Sequence, residues 1–193
     1  MLKEKLAKYN IILASGSPRR QQFFRDLNLN FEIRLKDIEE VYPDHLIKEE
    51  ISDYLAELKS KSFENELNES DLLITSDTIV WLNNKALGKP KDYNEAFTML
   101  KSLSNTNHEV ITSVCIKRFN TSKTFHDIAK VYFRNLTDGE INYYIENYQP
   151  YDKAGAYGIQ DWIGKIGIDK IEGSYFNVMG LPVHKLYKEL MIL

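Results

Sequence analysis

The stretch Asn10-Ile11-Ile12-Leu13-Ala14-Ser15-Gly16-Ser17-Pro18-Arg19-Arg20 is the place to begin reading this chain. Asn10 to Ala14, with four apolar residues in a row, reads as a short buried strand. Ser15 to Pro18 turns the chain. Pro18 suits the first helical position and Ser17 the cap before it, so a helix follows at once. It runs to about Asp26 and buries Phe23, Phe24 and Leu27. A strand, a tight turn of small residues and a helix opening on two arginines therefore stand within the first part of the chain.

Outward from there, strands and helices keep alternating. Phe31 to Leu35 alternates and reads as a strand. Leu46 to Leu67 reads as a helix, with Ile47, Ile51, Tyr54, Leu55, Leu58 and Phe63 on one apolar stripe. Leu72 to Leu82 is a buried strand, and Asn83-Asn84 is a hairpin-type turn before Ala86-Leu87. Asp92 to Leu103 is a helix capped by Asp92 or Asn94. Glu109 to Phe119 and Thr124 to Phe133 are long strands joined at Asn120-Thr121-Ser122. Thr137 and Glu140 form a capping box that opens a helix to about Asn147. A glycine-rich loop, a short strand near Lys165–Ile171 and a last helix opened by Pro182 complete the chain. This mixture gives the class α/β or α+β.

The chain has 193 residues with a formal charge of −3. That length suggests one domain, large enough for a core without disulfide or metal staples. Hydrophobic residues at 43% are too many for a disordered chain. The negative balance argues against a general nucleic-acid binder, which needs a basic field. The charge is uneven. Residues 36–71 hold twelve acids and four bases, net −8, so the rest carries +5. The bland reading of the acidic stretch is a solvated helix face. Cys115 is the single cysteine, which excludes an internal disulfide and suits a reducing compartment. The longest apolar runs have four residues, far from the roughly 20 of a membrane helix. A cytoplasmic soluble protein is expected, with no membrane partner.

Several places could carry chemistry. In Ser15–Arg20, backbone amides at a helix start, small residues and two guanidinium groups suit a phosphate. The plain alternative is a surface turn. Cations in a first helical turn oppose the helix dipole at ~0.3–1 kcal/mol each, which a bound polyanion would reverse. It is no Walker loop, because G-x-x-x-x-G-K-[ST] is absent. Asp77 is an acid in an otherwise apolar strand, so it is a metal ligand, a base, or an Asp bonded to its own backbone at a bulge. Lys89 and Glu39-Glu40 read alone as solvated loop residues. The loop Asp152–Gln160 has small residues beside Lys and Gln and suits close packing on a ligand or on itself. The histidines have no zinc-site spacing, and His108 reads as structural. Tyr143, Tyr144 and Tyr148 read as packing residues.

Five motifs then stand in order: Leu-Ala-Ser-Gly-Ser-Pro-Arg-Arg at 13–20, Ser-Asp-Thr-Ile-Val at 76–80, Gly-Lys-Pro at 88–90, Asp-Lys-Ala-Gly-Ala-Tyr-Gly-Ile-Gln at 152–160, and Gly173 to Pro182. Together, from about residue 11 to 190, they resemble the Maf family of nucleoside triphosphate pyrophosphatases. The resemblance implies one domain over 1–193, of an α/β fold like that of the inosine triphosphate pyrophosphatases. It would have a long mixed sheet, flanking helices and a cleft between two lobes. It implies hydrolysis of dTTP or UTP, and of modified pyrimidine nucleotides, to the monophosphate and pyrophosphate with Mg²⁺ or Mn²⁺. Asp77 matches the catalytic carboxylate. Arg19, Thr78 and Gln160 match specificity positions, and Arg20, Glu40, Lys59 and Lys89 match charged residues of the cleft.

On this reading the Ser15–Arg20 loop, including Ser15 and Ser17, binds phosphate together with Lys59 and Lys89. Asp77 and Glu40 hold the metal. Ser60 stands where the family usually has Ala, and Asp161-Trp162-Ile163 follows Gln160 where the family is rich in small residues. Two other classes are weighed beside the enzyme. One is a nucleotide-binding regulator of septum formation with weak or no hydrolysis, and the other is a nucleic-acid binder, which the charge disfavours. The partner expected is a nucleoside triphosphate; a homodimer is left open.

Overall fold

The computed structural model describes all residues, 1–193. Its elements run in the order α1 (Leu2–Lys5), β1 (Asn10–Leu13), α2 (Pro18–Asp26), β2 (Glu32–Ile33), α3 (Glu49–Lys61), β3 (Asp71–Leu82), β4 (Lys85–Leu87), α4 (Tyr93–Leu103), β5 (Asn107–Arg118), β6 (Thr121–Phe133), α5 (Asp138–Tyr148), α6 (Trp162–Gly167), β7 (Ile168–Glu172), α7 (Tyr175–Val178) and α8 (Val183–Met191). Two short 3₁₀ turns, Pro150–Asp152 and Ala154–Ala156, lie between α5 and α6.

The strands form one seven-stranded mixed sheet in the order β2-β1-β3-β5-β6-β7, with β4 paired to β3. β1 runs parallel to both β2 and β3, and its register with β3 is Asn10↔Asp71 through Leu13↔Ile74. That register is anchored at its start: Asn10 Nδ2 donates to Asp71 Oδ1 at 3.0 Å, and Asp71 accepts the Asn68 N–H at 2.8 Å. β4 and β7 are antiparallel to β3 and β6. The α/β class with a long mixed sheet and flanking helices is therefore observed.

Two compact units divide the chain. The first contains Met1–Asp77, Thr112–Asp127 and Gly180–Leu193; the second contains Thr78–Ile111 and Ile128–Met179. In the first, Ile12, Leu73, Phe63 and Leu67 form a buried cluster, and α1 packs on α8. In the second, Leu100, Leu103, Phe133, Ile141, Tyr144, Ile145 and Tyr157 belong to one core. Each such side chain, fully buried, contributes ~1.5–3 kcal/mol.

Local chemistry explains the boundaries. The Thr137–Glu140 capping box forms as expected, and Asp92 rather than Asn94 caps α4 through the Glu95 N–H at 2.9 Å. Asn83 and Asn84 both take positive φ, 49° and 59°, as a tight hairpin turn requires. The expected helix over 46–67 is only α3. Lys48 has φ 49°, which breaks a helix before Glu49, and the Ile47 N–H is taken by Glu50 Oε2. Ile47 and Tyr54 lie exposed, while Ile51, Leu55 and Phe63 are buried. The strand placed near Lys165–Ile171 is the helix α6 followed by β7. β2 spans only two residues of the Phe31–Leu35 run, and α1 was not expected. Cys115 is buried and free. No helix is long and apolar enough to cross a membrane.

Candidate active site

In the first unit, the end of β1 feeds the Ser15–Ser17 turn, and α2 starts at Pro18 with Ser17 as its cap residue. The Ser17 side chain makes no capping bond. Instead the Ser17 N–H donates to Ser15 Oγ at 3.3 Å, and Gln21 Nε2 donates to the Ser15 carbonyl at 3.2 Å. Ser15 is buried. The turn is thus held by its own side chains. Arg19 and Arg20 stand in a first helical turn that has no acid.

Arg20 reaches to β3. Its Nε donates to the Gly180 carbonyl and its Nη1 to the Ser76 carbonyl, both at 2.8 Å. These bonds fix the backbone immediately before Asp77. Burial pulls the Arg20 guanidinium below the usual arginine range; the Asp77 charge works against that, the Arg19 charge adds to it, and Glu40 opposes it. Arg20 therefore sits within the field of both carboxylates.

Lys59, on α3, is the hub. Its Nζ lies 2.5 Å from Asp77 Oδ1 and 2.9 Å from Glu40 Oε1. The Asp77 side chain is 9% exposed and that of Glu40 41%. Next to this group the Thr75 hydroxyl donates to the Ala56 carbonyl at 2.7 Å and locks α3 to β3. A buried carboxylate in a strand needs a partner; Lys59 is that partner for Asp77. The sequence residues Ser15, Ser17, Arg19, Arg20, Glu40, Lys59 and Asp77 all belong to this unit.

Asp77 and Glu40 offer two hard oxygen donors to one cationic point. That suits a divalent ion of the Mg²⁺ type, which takes one or two carboxylates together with substrate phosphates. No group of three or more His, Cys, Asp or Glu side chains could hold a metal anywhere in the chain.

Thr78, Lys89 and Gln160 belong to the second unit. Lys89 is exposed. Its loop is tied to the glycine-rich loop by the Gly155 N–H, which donates to the Gly88 carbonyl at 3.0 Å. Gly155 has φ +69°, and a Cβ there would stand 2.9 Å from Val80 Cγ2, so only glycine fits. Gln160 Nε2 donates to Asp161 Oδ1 at 3.1 Å. His108 is structural, as expected: its Nε2 lies 2.7 Å from the Tyr157 hydroxyl, and burial pushes its pKa down to about 3. Tyr144, read as packing, also donates its hydroxyl to Asp161 Oδ2 at 2.8 Å.

No local pattern signals that one lysine joins Glu40 to Asp77, because the three residues lie in separate segments. The contacts of Asp161 are hidden for another reason. An Asp at a helix start suggests a cap, yet its side chain makes no capping bond to α6.

A family model for Maf-like proteins matches residues 10–193. The chain belongs to the Maf family. Over 193 residues it is 64% identical to a dTTP/UTP pyrophosphatase of Flavobacterium johnsoniae, with the whole of both chains covered. A dTTP/UTP pyrophosphatase of Flavobacterium psychrophilum is 58% identical over 191 residues, covering 99% of this Maf chain and 98% of the relative. Among solved structures, a nucleoside-triphosphatase, described as a dITP/XTP pyrophosphatase, from Mycobacterium abscessus matches with a TM-score of 0.44 and 10% identity. It covers 93% of this chain and 92% of the other.

Proposed function

We propose that residues 1–193 act as one nucleotide pyrophosphatase domain. It hydrolyses dTTP, UTP and modified pyrimidine nucleotides to the monophosphate and pyrophosphate, in the cytoplasm. The observation that carries this is the Glu40–Lys59–Asp77 group, with Arg20 bonded to the carbonyl just before Asp77. The names of full-length relatives, dTTP/UTP pyrophosphatases, agree with it.

Cleavage between the α and β phosphates needs neutralised charge, an aligned water and a stabilised leaving group. Asp77 and Glu40 would hold a divalent cation, Mg²⁺ or Mn²⁺, which when bound would neutralise phosphate charge and acidify the attacking water. Asp77 aligns the water and takes its proton through Oδ2, the oxygen that Lys59 does not hold. Lys59 shares its charge between the carboxylates in the free protein and gives it to the polyphosphate in the complex. Ser15, Ser17 and Arg19 receive phosphate oxygens at the start of α2, and Lys89 adds a cation for the leaving pyrophosphate. Arg20 contributes charge, while Nε and Nη1 hold the framework. Thr78, Arg19 and Gln160 select the base.

The test is a panel of nucleoside triphosphates with Mg²⁺ or Mn²⁺ in ¹⁸O-water. Pyrophosphate should form from dTTP and UTP, with ¹⁸O in the monophosphate. Inorganic phosphate as first product, or ¹⁸O only in pyrophosphate, would refute attack at the α-phosphorus. Nucleotide bound but never cleaved would favour a regulator.

A further inference from the structure

The Gln160 side-chain amide offers both an acceptor and a donor, and its donor is engaged by the residue that follows it. Gln160 Nε2 donates to Asp161 Oδ1 at 3.1 Å. An ionised carboxylate only accepts, so it holds the amide with the NH₂ turned toward Asp161. Asp161 is itself held. The Tyr144 hydroxyl donates to Oδ2 at 2.8 Å and accepts the Gly158 N–H at 3.1 Å, and Lys153 Nζ lies 3.9 Å from Oδ2. Burial, with Asp161 beside it, raises the Tyr144 pKa far above its ordinary value, so this hydroxyl stays a donor. The Gln160 carbonyl oxygen, Oε1, is buried and has no hydrogen-bond partner within the protein.

A buried acceptor left unpaired costs ~1–3 kcal/mol. A ligand that donates to it recovers that cost, and a ligand that presents another acceptor cannot. We propose that Asp161 is a positioning residue for base selection: it fixes the Gln160 amide so that Oε1 accepts the N3–H of uracil or thymine and rejects cytosine, whose N3 is an acceptor. The proposal rests on the nucleotide reading given above. It also explains why position 158 is glycine. A Cβ on Gly158 would stand 2.5 Å from Asp161 Oδ2 and 2.8 Å from Gln160 Nε2, and would push the pair apart.

The experiment measures equilibrium binding of non-hydrolysable α,β-methylene UTP and CTP, beside pyrophosphate release from UTP. The proteins are wild type, Asp161→Asn, Gly158→Ala and Gln160→Ala, each checked for folding by its thermal midpoint. An Asn side chain is nearly isosteric but can offer its own NH₂, which lets the Gln160 amide turn over. Wild type should prefer the UTP analogue about tenfold or more, equivalent to ~1.4 kcal/mol. All three variants should lose most of that preference, through weaker UTP binding. An Asp161→Asn protein with the wild-type ratio would overturn the proposal, as would equal weakening for both bases or a wild type without preference. Base preference without pyrophosphate release would sink the hydrolase reading and leave the positioning of Gln160 standing. Release without Asp161-dependent preference would do the reverse.

Discussion

Replacing Lys59 with methionine keeps the length of the side chain and removes the one charge between Asp77 and Glu40. In the native protein Nζ lies within 2.9 Å of both carboxylates. Breaking a fully buried pair from one side costs ~3–5 kcal/mol, whereas an exposed pair is worth ~0.2–1 kcal/mol. Glu40 is 41% exposed and regains water; Asp77, at 9%, does not. Arg20 nearby offsets part of the loss at Asp77. Lys59→Met should therefore cost ~1–3 kcal/mol, mostly through Asp77. The assay is a double-mutant cycle by urea unfolding at pH 7, with Asp77→Asn and the double variant. Once Asp77 is neutral, the unpaired buried charge is gone, so the double variant should be more stable than the sum of the singles by ~1–2 kcal/mol. Additivity within ~0.5 kcal/mol would refute Lys59 as the partner of Asp77.

Two further outcomes are expected. Histidine in the unfolded chain titrates near 6.5, while His108 in the fold is pushed to about 3. Between those values the unfolded chain binds the extra proton, so stability falls as pH drops, by ~2 kcal/mol from pH 7 to pH 5. His108→Gln should remove that share of the pH slope in urea midpoints, and an unchanged slope would contradict the burial of a neutral imidazole. Gly155→Ala meets both φ +69° and the Val80 side chain. It should cost ~1–3 kcal/mol, and an unshifted thermal midpoint would show that the loop relaxes freely.

Local signals carried most of the fold. The Ile11–Ala14 run, Pro18 at the first helical position, the Asn83-Asn84 turn and the Thr137 capping box all depend on neighbours in sequence, and each appears where those neighbours place it. The misread stretches depend on more distant facts. The apolar period of 46–67 continues past the helix ends, because Phe63 and Leu67 are buried by tertiary packing after α3 has stopped. Residues 165–171, Lys-Ile-Gly-Ile-Asp-Lys-Ile, are too short a run for their isoleucine spacing to separate the end of a helix from a strand. At the site, motif order pointed to Asp77, Arg19 and Gln160, since those residues stand inside recognisable strings. The bonds that give them their chemistry were not legible. Lys59 to Glu40, Arg20 to the Ser76 and Gly180 carbonyls, and Tyr144 to Asp161 join residues far apart in sequence, and only the folded chain brings them together.

The most direct check of the central claim is pyrophosphate release from UTP by Asp77→Asn, set against wild type under saturating Mg²⁺ or Mn²⁺. The variant keeps the shape of the side chain and loses its charge and basicity. If Asp77 holds the cation and takes the proton of water, the rate should fall by more than about a thousandfold, or ~4 kcal/mol of barrier, in a protein whose thermal midpoint shows it folded. A folded Asp77→Asn protein that retains more than about a tenth of the wild-type rate, a loss of under ~1.4 kcal/mol, would contradict the account.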